Sequence, residues 1–283
     1  MADRIRIVGC LRFSILAPTY NTERFDSLEA VAAHLFSPER MALRFHLFER
    51  LCLPSLVAQS DQDFEAVVLT ARAMPETFRA RLRAILEPHP NLHLRPVGEG
   101  RHYGLLRRGY ESVPLEGASH RVMFRLDDDD ALDRGFIARL RRLAEGLLPV
   151  LGPQTPFIIA QNRGFYLRAA GRETEVFDTT ERAPLSTGAA LVAPANFPHN
   201  PYRFNHRKYA QHFNTFTDIS EPAFIRTIHR DNKSDPAQMG LTRQMDAERI
   251  EAELQHRFGF GIAELEAIGR EIGDVIGGDR PAR

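Results

Sequence analysis

The chain has 283 residues, 43% of them hydrophobic, and its 37 Lys plus Arg balance 37 Asp plus Glu at a pI near 7.2. That balance argues against bulk attraction to nucleic acid or to an anionic membrane, and the length supports one large α/β domain or two small ones without covalent staples. Cys10 and Cys52 form no C-x-x-C pair, so neither a disulfide framework nor a zinc knuckle is indicated, and a reducing cytoplasm is the expected setting. The first strand candidate is "IRIVGCLRFSILAP", 5–18; Arg12 interrupts it, which leaves it too short for a signal segment or a membrane span. No later run reaches spanning length.

From there, short β-branched or apolar runs alternate with longer stretches of helical period, the pattern of an α/β sheet with crossover helices. "RMALRFHLFERLCLPSLVAQ", 40–59, places Leu43, Leu47, Phe48 and Leu51 on one stripe, and Pro54 predicts a kink or restart. "FEAVVLT", 64–70, reads as a buried parallel strand. "PETFRARLRAILE", 75–87, opens on a proline suited to a first helical turn and ends before Pro88. "LHLRPV", 92–97, gives a further strand, and "GRHYGLLRRGYESV", 100–113, another helix. "HRVMFRL", 120–126, is a strand that runs straight into four aspartates. The helix after them carries Phe136, Ile137, Leu140, Leu143 and Leu147 at helical spacing, with Asp133 as its cap.

Asp127 to Asp130 therefore stand at the carboxyl end of a strand, where open α/β sheets bind ligands. Continued alternation would send Asp127 and Asp129 to one side and Asp128 and Asp130 to the other. Two carboxylates on one side at the mouth of a sheet suit a hard cation, Mg²⁺ or Mn²⁺, which keeps waters and recruits substrate phosphates. The competing reading is a solvated acidic turn that caps the next helix.

Three blocks in order, "RFSILAPTYN" at 12–21, "LCLPSLVAQSDQDFEAVVLT" at 51–70 and "RLDDDDALDRGFI" at 125–137, resemble GT-A fold glycosyltransferases: their first strand, their first helix with second strand, and their D-x-D element. The string "RFHLFERLCLPSLVAQSDQDF", with "RLDDDDAL" and the late "RTIHRDNKS" at 226–234, is similar to the bacterial rhamnosyl transferase family over about residues 5–235. The resemblance implies an α/β fold of GT-A-like, nucleotide-diphospho-sugar transferase type, a mixed sheet flanked by helices. It implies a glycosyltransferase domain over 1–235, with a nucleotide-binding half to about 135 and an acceptor half from about 136, and then a C-terminal helical extension over 236–283. It further implies that Pro18, Thr19 and Tyr20 flank the nucleotide base, that Asp127 reaches the ribose or the metal with Asp128 beside it at the donor, that Asp129 binds the metal, and that His229 completes the metal shell. Thr70 and Ala71 end the second strand where many relatives carry acids toward the base, so the resemblance does not fix the nucleotide. The chemistry fits independently: cleaving a sugar–diphosphate bond develops negative charge that a divalent ion neutralises without a proton donor.

Downstream, "PFIIAQNRGFYLR", 156–168, and "ETEVFDTT", 173–180, read as a hairpin around "AAGR". "STGAALVAP", 186–194, either approaches a ligand closely or is a plain buried strand. "NFPHNPYRFNHRKYAQHF", 196–213, combines His199, His206 and His212 with Arg203, Arg207, Lys208 and aromatics. The histidine spacings match no helical i, i+4 pair, which argues against zinc, and the balanced charge argues against nucleic acid. The expected role is a loop and helix over the donor diphosphate and part of the acceptor, with Arg203 and His206 at the donor, mobile until the donor binds; the competing role is an ordinary exposed helix.

In "FTDISEP", 216–222, Asp218 is the candidate general base for the acceptor hydroxyl of an inverting reaction, with Glu221 beside it; either would equally serve as a helix cap. A retaining reaction would need no such base. From Asp235 onward, helical spacing broken near Gly259 and Gly261 predicts helices that pack on the domain or pair subunits into a homo-oligomer, and "GGDRPAR" reads as a frayed tail. Membrane-surface binding through these helices stays open, though their charges are mixed rather than basic.

The expected function is a metal-dependent glycosyltransferase that moves a sugar, rhamnose by the resemblance, from a nucleotide-diphosphate donor to a glycan or glycoconjugate hydroxyl. It would use Mn²⁺ or Mg²⁺ and work in the cytoplasm or peripherally at the inner membrane. One alternative is a metal-dependent phosphohydrolase, which would place its aspartate on the first strand, where "SILAPTYN" stands. The other is a non-catalytic nucleotide-sugar or glycan-binding module, against which Asp127, Asp129 and His229 together argue.

Overall fold

Residues alternate so strictly in β1 (Ile5–Arg12) that Ile7 and Leu11 join one core cluster while Val8 and Cys10 join another on the opposite face. A central strand covered on both faces has no polar side to show, hence the unbroken run without a charge from Ile7 to Leu11. The computed structural model describes residues 4–19, 24–170, 173–232 and 240–276, with side chains through Ile272. β1 ends at Arg12 rather than near residue 18, because Ser14 adopts φ 55° and turns the chain out of the sheet. The short helix α1 (Leu28–Leu35) follows, capped by Ser27, an element to which the sequence reading assigned nothing.

The stripe at 40–59 is realised as α2 (Pro38–Leu47), a π-helical turn (Phe48–Cys52) and α3 (Leu53–Val57). Pro54 has no N–H to return to the preceding turn, and the wide turn just before it absorbs that gap. β2 (Glu65–Ala71), α4 (Glu76–Leu86), β3 (Leu92–Val97), α5 (His102–Glu111) and β4 (His120–Asp127) come next, each close to its expected span. Beyond the two-residue strand β5 (Ala131–Leu132) lies α6 (Phe136–Leu151), whose N-cap is Gly135. Asp133 is not that cap. Its Oδ2 accepts from the Gly135 amide at 3.1 Å while the carboxylate pairs with Arg139.

The expected hairpin starts later than its sequence suggested. β6 (Phe157–Gln161) belongs to one sheet, and β7 (Arg163–Ala170) pairs with β8 (Glu173–Thr180) in another. The break is at Asn162, fully buried, whose amide donates to Asp218 O at 2.9 Å and whose side chain donates to Glu181 O at 3.0 Å. β9 (Ala190–Pro194), two 3₁₀ turns (Pro201–Arg203 and His206–Gln211), β10 (Asn214–Asp218), β11 (Phe224–Ile228) and β12 (Leu241–Thr242) lead to α7 (Ala247–Arg257) and α8 (Ile262–Ile276).

The larger sheet has the order β10-β6-β9-β4-β1-β2-β3. β4, β1, β2 and β3 run parallel, and β9 runs antiparallel to both β4 and β6. The smaller sheet is β12-β8-β7-β11-β5, so the architecture is the mixed, helix-flanked sheet expected of a GT-A-like fold. Where β7 passes β11, a Cβ on Gly164 would come within 2.4 Å of Phe224 O, so only glycine admits that approach. Leu254, Leu265 and Ile268 of the last two helices share one cluster with Leu43 and Leu47 of α2 and with Phe165 and Ile225 of the smaller sheet. No helix among the described residues is long and apolar enough to cross a membrane.

Candidate active site

β1 and β4 pair in parallel with Arg12 opposite Asp127, so both strands deliver their last residues to the same edge. A cavity of about 790 Å³ opens there. Among the described residues its wall carries eight arginines (12, 24, 40, 44, 125, 203, 226 and 230) against five aspartates, Asp127 to Asp130 and Asp231. In a chain with no net charge, that excess of cations is local and marks an anion site.

The four consecutive aspartates do not alternate. β4 stops at Asp127 and the chain turns through Asp128 and Asp129, so the same Arg44 guanidinium reaches both, through Nε to Asp128 Oδ2 at 3.0 Å and Nη1 to Asp129 Oδ2 at 3.1 Å. Arg12 Nε donates to Asp127 Oδ1 at 3.0 Å. Asp130 lies buried, its Oδ1 accepting from the Thr227 amide at 3.1 Å and its Oδ2 from the Thr187 hydroxyl. The acidic run is therefore not a solvated turn; three of its four carboxylates are at most 4% exposed, each with named partners.

Environment pulls Asp127, Asp129 and Asp130 apart electrostatically. Burial alone would raise Asp129, but the charge of Arg44 and the hydrogen bond from His229 hold it well below the usual carboxylate range. Asp127 is likewise lowered: burial raises it, and the charge and hydrogen bond of Arg12 together with the charge of Arg125 bring it down. Asp130 goes the other way: burial and the charge of Asp129 push it up to about 8.

His229, at the end of β11, places Nε2 3.1 Å from Asp129 Oδ2, and its Nδ1 accepts from the Asp231 amide at 3.2 Å. That assignment puts the ring proton on Nε2, toward Asp129. Asn232 Nδ2 donates to Thr227 O at 2.8 Å and borders the same carboxylate. Among the described residues no three His, Cys, Asp or Glu side chains are gathered at metal-binding distances. Arg40 bridges Asp231, at 3.1 Å, and the Ser14 hydroxyl, at 2.8 Å, tying α2 to the turn after β1.

Of the residues singled out in the sequence, Asp127, Asp128, Asp129, Arg203 and His206 all line the cavity. Pro18 and Thr19 lie in the turn after β1 and are not part of its wall; Thr19 Oγ1 instead accepts from the His102 amide at 3.0 Å and fixes the start of α5. Tyr20 lies outside the described residues. Asp218, expected as the general base, is not brought to the cavity: it ends the edge strand β10, and its Oδ1 accepts from the Ser220 amide at 2.9 Å in a local turn. Glu221 is also turned away, toward Arg139 and Arg257.

The segment 196–213, expected as a loop and helix, forms two Asn-capped 3₁₀ turns, at Asn200 and Asn205. Its histidines separate: His199 faces Tyr103, His212 stacks on Phe204 with ring centroids 3.7 Å apart, and His206 Nδ1 donates to Pro184 O at 2.6 Å. Burial, and then the charge of Arg125, pushes His206 down to about 3, so it is neutral.

Arg12, Arg44, Arg125 and Arg226 were not singled out in the sequence, although a signal existed. Arg125 follows the apolar run VMF and Arg226 the pair FI, each inside a strand, and Arg44 sits one residue after Leu43 on a helix, where burial requires a partner.

The sequence model of a family described as "Putative rhamnosyl transferase" matches residues 6–241. No curated protein matches the chain. Among solved structures, S. aureus TarS is similar at 12% identity and a TM-score of 0.43 over 79% of this chain; the chain spans 37% of that protein. TarS 1–349 in complex with UDP-GlcNAc gives 12% identity and a TM-score of 0.40, covering 95% of this chain and 72% of that one. The mannosyltransferase PcManGT from Pyrobaculum calidifontis, in complex with GDP-Man and Mn²⁺, gives 12% identity and a TM-score of 0.42, covering 96% and 70%.

Proposed function

We propose, because the chain belongs to the family described as "Putative rhamnosyl transferase", that it transfers a sugar, rhamnose in the first instance, from a nucleotide-diphosphate donor to the hydroxyl of a glycan or glycoconjugate. The observation that carries this reading is the arginine-rich cavity at the carboxyl ends of β1 and β4, closed on one side by the aspartate turn. Such a cavity suits a ligand with a charged diphosphate and uncharged sugar and ribose hydroxyls. Asp127, held ionised beside Arg12, offers an acceptor for ribose hydroxyls. His206 donates its Nδ1 proton to the backbone, which leaves Nε2 as an acceptor in the cavity wall, suited to a sugar hydroxyl.

Asp129 Oδ2 and His229 Nε2 are 3.1 Å apart, close to the separation of two neighbouring ligands on an octahedral ion with bonds of about 2.1 Å. These two residues would hold a Mn²⁺ or Mg²⁺ ion, which is consistent with a site that leaves several positions to water and to substrate phosphate. Ligation requires the other tautomer of His229, with the proton on Nδ1 and the contact from the Asp231 amide released. When bound, the ion supplies positive charge to the departing diphosphate.

Thermal unfolding with nucleoside diphosphates, with and without Mn²⁺, tests the reading. A nucleoside diphosphate should raise Tm, Mn²⁺ should enlarge the rise, and Asp129→Asn should lose the enlargement. If no nucleoside diphosphate moves Tm at millimolar concentration, the nucleotide-sugar assignment fails.

A further inference from the structure

Arg125 stands apart from the other buried cations of the cavity. Arg12 is matched by Asp127, Arg40 by Asp231 and Arg44 by Asp128 and Asp129. The charge of Arg226 acts on Asp130, and its Nη1 donates to Ser186 Oγ at 3.1 Å. Arg125 makes no ion pair with any described acid. It is 8% exposed, in the floor of the cavity, on the same side of β4 as Asp127. Its Nη1 donates to the Tyr209 hydroxyl at 3.1 Å, its guanidinium lies 4.0 Å from the ring centre of Tyr202, and its Nε is buried with no hydrogen-bond partner.

A guanidinium removed from water and left without a carboxylate is strongly disfavoured, and an aromatic face offsets that only in part. Asp127 feels the charge of Arg125, yet that carboxylate is already bonded to Arg12. The neighbouring histidines add no compensation. His102 is held near 3 by burial and then by Arg12 and Arg125, and His206 near 3 by burial and then by Arg125. Among the described residues, therefore, no carboxylate is left over to answer the positive charge on the floor.

We propose that Arg125 anchors the diphosphate of the donor, so that the cavity holds a diphosphate even without a divalent ion; the identity of that anion rests on the reading given under Proposed function. A phosphate oxygen would supply the acceptor that Nε lacks and the counter-charge that the guanidinium lacks, both through the cavity that Arg125 faces.

The test is titration calorimetry of inorganic pyrophosphate and inorganic phosphate into the full chain in EDTA, with thermal scans of wild type, Arg125→Met and Arg125→Lys. Wild type should bind pyrophosphate more tightly than phosphate. Arg125→Met should weaken pyrophosphate about 10- to 100-fold, as expected for losing hydrogen bonds to a charged group, and Arg125→Lys less, since it keeps the charge but not the fork. Ligand-free Arg125→Met should melt at the same or a higher temperature than wild type, because an uncompensated buried charge has gone.

An unchanged pyrophosphate affinity in Arg125→Met overturns the proposal. So does a lower ligand-free Tm, which would make Arg125 a support for Tyr202 and Tyr209. Equal binding of phosphate and pyrophosphate overturns the diphosphate assignment. Pyrophosphate held through Arg125 by a protein that cleaves no nucleotide-sugar would refute the function proposed above and leave this site standing. Sugar transfer with pyrophosphate affinity untouched by Arg125→Met would refute this inference alone.

Discussion

Replacing Asp130 with Asn should make the protein more stable at pH 8 and leave it little changed at pH 4. Asp130 is 2% exposed, and burial together with the charge of Asp129 raises its carboxyl from 3.8 to about 8. Its folded value thus lies above its unfolded value. Between about pH 4 and pH 8 the folded chain keeps a proton that the unfolded chain releases, so the stability it contributes is complete below pH 4 and is lost as pH rises. The loss is at most about 1.4 kcal/mol per pH unit. His102 and His206 act in the opposite direction, because burial lowers both from 6.5 to about 3 and their contribution is lost as pH falls below 6.5. Both histidines are present in the variant and cancel from its difference with wild type, so between pH 6.5 and 8 that difference follows Asp130 and should grow by about 1.7 kcal/mol. Asparagine keeps both contacts, with its oxygen accepting from the Thr227 amide and its NH₂ donating to the Thr187 hydroxyl. Urea unfolding followed by circular dichroism at pH 6.5, 7, 7.5 and 8 should show the variant's advantage growing by about that amount. A constant difference across the series would refute the reasoning.

Two further outcomes follow from packing. Leu254→Ala, at a fully buried position in the cluster shared by the C-terminal helices and α2, should cost about 2–5 kcal/mol and shift a single cooperative transition; two separate transitions in a denaturant melt would instead make those helices a separate unit. Burial pushes the Cys10 thiol up to about 12 and Cys52 well above the ordinary thiol range, so a thiol-disulfide reagent at pH 8 should label neither thiol in the native protein and both in urea. Rapid native labelling would contradict the burial of both.

The parallel half of the larger sheet was legible because β1, β2 and β4 are covered on both faces and so carry short apolar runs, IVGCL, AVVL and VMF, instead of a polar alternation. The place of the acidic turn was legible for the same reason, since a strand that ends in carboxylates must deliver them to its carboxyl edge. The direction of each carboxylate was not. Alternation holds only while the backbone is extended, and the chain turns at Asp128. The break at Asn162 was missed although Gln161, Asn162 and Arg163 interrupt the apolar run, because a sequence run does not reveal which sheet each half joins. Asp218 attracted a catalytic reading by its distance from His229 along the chain, yet β10 carries it to the opposite edge of the sheet from β3. The arginines that answer the aspartates come from three separate elements, β1, α2 and β11, and only the fold assembles them.

The most direct test of the central claim is donor cleavage measured by chromatography of the released nucleoside diphosphate, with UDP-, GDP- and dTDP-activated sugars, rhamnose among them, at neutral pH with Mn²⁺ and with EDTA. At least one donor should release its nucleoside diphosphate slowly to water, faster with Mn²⁺ than with EDTA, and Asp129→Asn should abolish the metal-dependent part. Release of no nucleoside diphosphate from any donor by folded protein, or release untouched by both EDTA and Asp129→Asn, would contradict the account.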